Sequence, residues 1–555
     1  MSESAPVPTS DESTTFPLAP KASPMFPLAP QPSLALAVLC GLLYFAAFPG
    51  CDVWPVAFIA WVPLLVALHR QTPRRAAATS WAAGVVMILL GFHWLLGMLE
   101  TFSGFPTAAC ALIMLLLCMF LAGRTALMGW LYARANELGW HPRLTIFPAF
   151  IASELIYPVL FHWYFGATVH QVPVLTQVAE LGNPIAVGLA LLATNVAIAE
   201  LIIARLEGAV PQWKATAGLL MITASAAIYG VVRLAQVDAM LEDAPKKHVG
   251  LVQANMGLMA KRTNRAEGLA RHLRLTNSLR EQGPLDLVVW SETSVAGAVP
   301  EKYANEYYER LFSRRLGVPA IFGALLTRRV EDARGYVLYN SSLISDRAGT
   351  VQGRYDKQFL LAFGEYLPFG EQFPSLYKLS PHTGRFTPGK SLAPLPLGEF
   401  NINVHICYED IIPSFVNSML QDEPVDLLVN MTNDAWYGDT TEPWIHVALA
   451  SFRSIEHRKY MVRSTNSGVS AIIDPAGRVV ANTGTFVEAA LVEEIAFLRG
   501  PRTPYELYGD SPWWLGTVAS IYMAFRSRRR PVPVSAAPPE TPAPQDSENP
   551  EKPDT

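Results

Sequence analysis

Charge is scarce in this sequence. Lys, Arg, Asp and Glu supply 16% of its 555 residues against 51% hydrophobic, and the net charge is −4. That balance is too apolar for an ordinary soluble enzyme and points to a membrane protein with a soluble part. No basic stripe runs along the chain, which argues against a nucleic-acid partner. HExxH and paired CxxC signatures are missing, so no metal is implied. Cysteine is rarer still, with five residues, and four of them (Cys40, Cys51, Cys110, Cys118) fall in or beside apolar stretches near the N-terminus. The fifth, Cys407, stands alone in the polar half without a disulfide partner. If that half lies outside the cytoplasm, an unpaired thiol there is exposed to oxidation and needs a reason to exist. Chemistry is the best reason.

What is present divides the chain clearly. Residues 1–32 are rich in Pro, Ser and Thr and repeat Phe-Pro-Leu-Ala-Pro, and the tail from 531 is Pro, Glu and Ser. Both are expected to be disordered. The start lacks the basic end and cleavage site of a signal peptide, so the first apolar stretch is expected to stay. Eight candidate membrane helices lie between the tails, at about 33–49, 53–69, 80–99, 105–123, 144–163, 184–204, 215–236 and 512–526. A span needs roughly 20 apolar residues, with about 17 as the lower end.

Seven helices (33–238) precede a polar region at 247–498, and the eighth follows it. Three connections carry Arg70, Arg74 and Arg75, then Arg124, Arg134 and Arg143, then Arg205 and Lys214; the alternate ones carry no Lys or Arg. A basic run, Arg526-Ser527-Arg528-Arg529-Arg530, opens the segment 527–555 after the last helix. The positive-inside rule then predicts cytoplasmic N- and C-termini and an extracytoplasmic polar region.

Within the polar region, strands are expected at 249–253, 287–290, 320–323, 337–340, 404–406 and 427–430, and amphipathic helices at 264–282, 301–315 and 443–460. Short apolar strands between helices predict a layered α/β domain. Three reactive side chains follow or end such strands: Glu292, Lys357 and Cys407. Strand ends are where α/β folds present functional groups. A thiol acts as a nucleophile through its thiolate, a carboxylate can take its proton, and a lysine with the N–H of Tyr408 can hold an oxyanion. Taken singly, each residue also has an ordinary explanation. A lone cysteine packs in cores, and a strand-end Glu or Lys is usually a solvated charge.

The joint pattern goes further. Trp290-Ser291-Glu292-Thr293, Tyr355-Asp356-Lys357 and Cys407-Tyr408-Glu409 resemble the Glu-Lys-Cys triad of the nitrilase (carbon–nitrogen hydrolase) superfamily. Phe363-Gly364-Glu365-Tyr366-Leu367-Pro368, Phe386-Thr387-Pro388-Gly389, Asn433-Asp434-Ala435-Trp436-Tyr437-Gly438 and Arg463-Ser464-Thr465-Asn466-Ser467-Gly468-Val469-Ser470 are similar to one branch, the apolipoprotein N-acyltransferases. The resemblance covers roughly 33–530.

It implies an eight-helix membrane domain with a nitrilase-like αββα sandwich inserted between helices seven and eight, in the bacterial inner membrane. It implies two-step acyl transfer without cofactor. Cys407 would attack the sn-1 ester of a phospholipid, typically phosphatidylethanolamine, and the thioester would pass its acyl group to the α-amine of an S-diacylglyceryl-cysteine apolipoprotein. Glu292 would be the general base and Lys357 the oxyanion stabiliser, with Glu365, Tyr408 and Glu409 in support. Apolar and aromatic side chains favour a lipid interface, so Phe359, Leu361, Trp436 and Tyr437 are candidates for substrate or membrane contact; packing inside the domain is the alternative for Phe359 and Leu361. His93 and Glu154 fall in apolar segments, where ionisable groups are costly; they are expected near helix ends or paired in the bundle.

The match has two gaps. The segment 256–262 lacks the usual Pro, Gln and Trp, with Arg262 at the Trp position, and Ser291 replaces a usual Pro. Two competing readings are therefore carried: a membrane-tethered amidase using the same triad, and a divergent non-catalytic paralogue that binds lipid or lipoprotein.

Overall fold

The computed structural model describes residues 25–257, 263–313, 315–331, 335–379 and 383–528. Of the tails expected at 1–32 and from 531, residues 1–24 and the whole C-terminal tail lie outside these residues, as does the departure at Arg262. Within the stretch expected to be disordered, Phe26 and Leu28 are anchored while the other residues of 25–32 are exposed. Phe26 is buried edge-on against the ring of His69, and the carbonyl of Leu28 accepts from Gln71 and Arg75.

Among the described residues, three helices are long and apolar enough to cross a bilayer: Thr107–Glu137, Ala179–Glu207 and Trp213–Asp243. A fourth span results if Pro73–Gly91 and Leu95–Thr101, bent by 61°, count as one. Pro30–Ala46 and Trp54–Leu68 are shorter apolar helices. The expected spans at 144–163 and 512–526 form helices of 15 residues each, Pro142–Ile156 and Ser511–Phe525. At 1.5 Å per residue such a helix is about 22 Å long against a hydrocarbon core of about 30 Å. Pro158 sets the first limit, because the residue before a proline is driven out of the helical region, and Tyr157 is extended. Leu112, Leu116, Met221, Val231, Leu515 and Val518 are exposed on the outside of the bundle, as lipid contact would require.

Two polar residues behave as expected, and one arginine does not. Arg124 was expected in a connecting loop but lies inside the helical stretch Thr107–Glu137. Its guanidinium donates to Glu154 at 3.1 Å and to the carbonyl of Trp163 at 2.6 Å, so the buried charge is met and the helix continues. Glu154 is thereby paired within the bundle. His93 sits at the 61° bend, exposed, with Nδ1 2.9 Å from the Leu90 carbonyl.

The polar region is a two-sheet sandwich. Its strands are β1 (Lys246–Gln253), β2 (Leu287–Trp290), β3 (Val295–Pro300), β4 (Ala320–Arg329), β5 (Tyr336–Ser345), β6 (Val351–Asp356), β7 (Leu395–Leu397), β8 (Phe400–Ile406), β9 (Leu427–Thr432), β10 (Met461–Thr465), β11 (Ala471–Ile473), β12 (Val479–Asn482) and β13 (Ala489–Ala496). One sheet runs β13-β1-β2-β4-β5-β6, with β3 added on β4; the other runs β12-β11-β10-β9-β8-β7. The central strands β1-β2-β4 and β8-β9-β10 are parallel.

Period-two alternation builds the layers. Leu287 and Val289 of β2 face the core between the sheets, whereas Val288 and Trp290 face an outer core with Tyr308 and Phe312. Across the sandwich, Ser464 Oγ donates to the carbonyls of Val252 and Val289. The helices Arg265–Gln282 and Ala304–Phe312 cover the first sheet, and Glu442–His457 covers the second. The sandwich is tied to the bundle by Glu180, which accepts from Arg458 of the sandwich and from Arg233 and Tyr229 of the helix Trp213–Asp243.

The Arg124–Glu154 pair gives a stability test. Arg124→Leu alone leaves a buried carboxylate and should destabilise the bundle by about 3 kcal/mol or more, whereas pairing it with Glu154→Leu should restore much of the loss. Melting of the detergent-solubilised single and double variants measures this.

Candidate active site

The site is assembled at the C-terminal ends of two parallel strands, β2 and β8, one from each sheet, and of the antiparallel strand β6. Strand β8 delivers Cys407, which begins a 3₁₀ turn, Cys407–Ile411. The backbone there is left-handed, with φ +58°. A non-glycine residue adopts that conformation at a cost on the order of 1 kcal/mol, and it persists only where neighbours enforce it. Asn430 on β9 is one such neighbour, donating from Nδ2 to the Cys407 carbonyl at 3.0 Å. Asn430 is itself fixed by Arg463, which donates to its Oδ1 at 2.6 Å.

Glu292 lies just past β2, and Lys357 follows β6 directly. Lys357 is 2% exposed, with Nζ 2.8 Å from Glu365 Oε2 and 3.9 Å from Glu292 Oε1. Asn340, near the middle of β5, holds both carboxylates: Nδ2 donates to Glu292 Oε1 at 2.7 Å and to Glu365 Oε1 at 3.1 Å. The Asn340 carbonyl also accepts the Lys357 N–H at 2.8 Å. Burial opposes the ammonium charge, but the carboxylates of Glu365, Glu292 and Glu409 more than offset it and push the Lys357 pKa up. Burial, with Glu292 and Glu365 adding, pushes the Cys407 thiol up, while Lys357 and a hydrogen bond with Thr432 pull the other way. Cys407 therefore rests as a thiol, and a base would have to take its proton for it to act as a nucleophile.

Glu409 fastens the two loops together. Its Oε1 accepts from Tyr355 Oη (2.9 Å) and from the N–H groups of Gln358 (2.8 Å) and Phe359 (3.0 Å), while Oε2 accepts from Ile406 N–H (2.7 Å). Burial raises its carboxyl to about 7 against the hold of Lys357 and these donors.

Behind Cys407 lies a second buried network. Tyr408 Oη donates to Glu442 Oε1 at 2.6 Å. His446 Nε2 is 2.8 Å from Asp410 Oδ1, and its Nδ1 is 3.5 Å from Asp434 Oδ1. Arg463 donates to Asp434 Oδ2 at 2.8 Å and to Asp410 Oδ2 at 3.3 Å. Asp434, Glu442 and His446 bring three ligand-type atoms within 4.8 Å of one another. Arg463 already neutralises Asp434, and Tyr408 already occupies Glu442, so the cluster is a charge network with its own counter-ions.

A cavity of about 410 Å³ opens over these groups, lined by Glu292, Lys357, Glu365 and Cys407 and by the apolar Leu361 and Phe386. Met98, from the bent part of the bundle, lines it too. The size suits a sizeable organic substrate. The bundle also reaches the cysteine loop directly. The Trp94 ring stands edge-on to Tyr437 at 5.2 Å, and Phe161 to Tyr408 at 5.7 Å.

Comparison with known proteins covers both the helical and the sandwich parts of the chain. Residues 248–499 match the carbon–nitrogen hydrolase family model, and residues 40–197 match that of the apolipoprotein N-acyltransferase N-terminal domain. An apolipoprotein N-acyltransferase of Geobacter metallireducens is 30% identical over 519 residues, covering 91% of this chain and 97% of that protein. The chain belongs to the apolipoprotein N-acyltransferase family. A member from Azotobacter vinelandii is 28% identical over 511 residues, covering 90% and 95%. Among solved structures, the nitrilase-superfamily protein Nit3 of Saccharomyces cerevisiae aligns with 48% of this chain and 94% of its own at 17% identity and a TM-score of 0.35.

The residues singled out in this family member's sequence converge on the cavity, with one correction. Glu292, Lys357, Cys407 and Glu365 line it, Glu409 and Tyr408 brace its loops, and Leu361, Trp436 and Tyr437 are in its wall. Tyr437, expected to add exposed aromatic surface, is buried because Trp94 and Tyr408 enclose its ring. Phe359 is 46% exposed and continues into an apolar rim with Phe363 at 56% and Phe369 at 71%. Asn340 and His446 were not singled out. Asn340 ends the expected strand 337–340, and a position at a strand end was the signal that marked Glu292.

The network behind Cys407 should be pH-sensitive. Burial and Arg463 oppose the His446 charge, but Asp410 and Asp434 win and raise it to about 9. A raised histidine stabilises fully below its unfolded value of about 6.5, and that contribution, on the order of 3 kcal/mol, is lost as pH rises through about 9. The melting temperature should thus fall between pH 7 and 10, and His446→Gln should melt lower at pH 7 with a flatter alkaline limb.

Proposed function

We propose that this chain transfers a fatty acyl group from the sn-1 position of a membrane phospholipid, through a thioester on Cys407, to the α-amine of an S-diacylglyceryl-cysteine at the N-terminus of an apolipoprotein. One observation carries the reading: a buried lysine, two carboxylates and a strained cysteine line one cavity whose wall includes a residue of the apolar bundle. An acyl donor with long chains needs both the triad and the bundle. A small soluble amide needs only the triad.

In the first step Glu292 takes the Cys407 proton as sulfur attacks the ester carbonyl. The developing oxyanion is met by the Lys357 ammonium. The intermediate collapses with cleavage of the ester C–O bond, and the departing alkoxide takes the proton from Glu292, leaving lysophospholipid and the thioester. In the second step the acceptor amine attacks the thioester carbonyl and gives its proton to Glu292. The thiolate leaves and is reprotonated, so the enzyme returns unchanged with one amide formed. Glu365 and Asn340 keep Lys357 charged and aimed. Glu409 and Tyr408 act through loop position.

The donor we favour is phosphatidylethanolamine. The orientation we favour puts the sandwich outside the cytoplasmic membrane and both termini inside. Its support is the basic connections around Arg70, Arg74 and Arg75 and around Arg205 and Lys214, with Arg526 and Arg528 after the last helix. Arg124 no longer counts toward it, being buried in a helix.

The test is an assay of the full chain in mixed micelles with phosphatidylethanolamine and a diacylglyceryl-cysteine peptide. The peptide should gain one acyl group at its amine as lysophospholipid appears, and Glu292→Gln and Lys357→Met should each slow this by about 10³-fold. Release of ammonia from amides without any acylated peptide would overturn the proposal in favour of an amidase.

A further inference from the structure

The catalytic cavity is also walled by Arg265, the first residue of the helix Arg265–Gln282. Its side chain is exposed, and among the described residues no carboxylate or hydrogen-bond acceptor meets its guanidinium. Its helix-mates are different: Arg271 is paired with Glu267, and Arg274 with Glu488. The guanidinium lies over Gly297 of β3, where a Cβ would come within 3.1 Å of Nη1. Gly297 has φ +113°, a conformation that side chains rarely adopt, so the strand leaves this space open. A second cavity, between Arg265 and the rings of Tyr303 and Tyr307, shares Arg265 and Gly297 with the first.

Charge gives this position a purpose. The cavity's other ionisable side chains near the thiol are Lys357, Glu292 and Glu365, and the ammonium is spent on the two carboxylates. One cation against two anions leaves a site that repels an entering anion. A phospholipid must nevertheless place its ester at Cys407 with a phosphodiester only a few bonds away. An unpaired guanidinium at the cavity wall offsets the deficit, and its planar fork matches a phosphate's oxygens.

We propose that Arg265 binds the phosphate of the phospholipid donor and so determines donor specificity; this rests on the acyl-transfer reading above. The acceptor carries no phosphate, so Arg265 acts in the first half-reaction and is idle in the second. The lysophospholipid product keeps its phosphate, which places the same contact on its release.

The experiment uses the full-length chain in mixed micelles, with Arg265→Gln and Arg265→Lys. Thioester formation is followed against phosphatidylethanolamine and against p-nitrophenyl palmitate, an acyl donor without phosphate. Transfer from pre-acylated enzyme to a diacylglyceryl-cysteine peptide is followed separately. Arg265→Gln should raise KM for the phospholipid about tenfold with kcat little changed, the worth of a charge-assisted contact. The palmitate ester and the second half-reaction should be unaffected, and Arg265→Lys should recover part of the loss. An unchanged KM for the phospholipid, or an equal rise for the phosphate-free ester, overturns the assignment while leaving acyl transfer intact. A wild-type chain that forms thioester from no phospholipid overturns both.

Discussion

A lysine ammonium cannot remain charged in a protein interior without partners, and Lys357 is almost wholly buried. Much of the site follows from that constraint. Glu365 supplies the close counter-ion, Glu292 a more distant one, and Asn340 holds both carboxylates while its own carbonyl takes the Lys357 N–H. The loop after Lys357 must then stay in one place, and Glu409 fixes it by accepting two of its N–H groups alongside Ile406 N–H from the strand leading to Cys407. A single carboxylate thus ties the loop after Lys357 to the strand that ends at Cys407.

The cysteine side of the cavity is held by different means. The left-handed backbone at Cys407 is enforced by Asn430, which leans on Arg463, whose charge is met by Asp410 and Asp434. Tyr408 points away from the cavity to Glu442 and lies against Phe161 of the bundle, so the strained turn and the apolar helices form one packed unit. An exposed apolar rim at Phe359, Phe363 and Phe369 borders the same loops. The turn that carries Cys407 is thus braced from the side of the helical bundle.

Six of the sandwich's thirteen described strands were legible because they are short apolar runs. Strand β2 was read with its observed bounds, and β8 was read to the thiol. Strand β10 escaped because Arg463 interrupts its apolar pattern, and only the tertiary partners Asp410 and Asp434 make that arginine tolerable inside a sheet. Strand β13 escaped because Glu493 and Glu494 give it the look of a surface segment, as suits an edge strand paired on one side with β1. The bundle was read less well. Hydropathy marks apolar runs but not the bend at 91–95, the extended residue before Pro158, or a buried Arg124 that finds Glu154 thirty residues away. Glu292, Lys357 and Cys407 were visible as reactive groups at strand ends, whereas Asn340 and His446 matter only through what they touch.

The account's central claim is that Cys407 carries the acyl group between donor and acceptor. Intact-protein mass spectrometry of the full-length chain after brief incubation with phosphatidylethanolamine alone tests it most directly, with Cys407→Ser alongside. One added acyl mass on the wild type, removed by hydroxylamine and absent from Cys407→Ser, is the predicted result. Lysophospholipid release with no adduct on the wild type, or a hydroxylamine-resistant adduct that persists in Cys407→Ser, would contradict it.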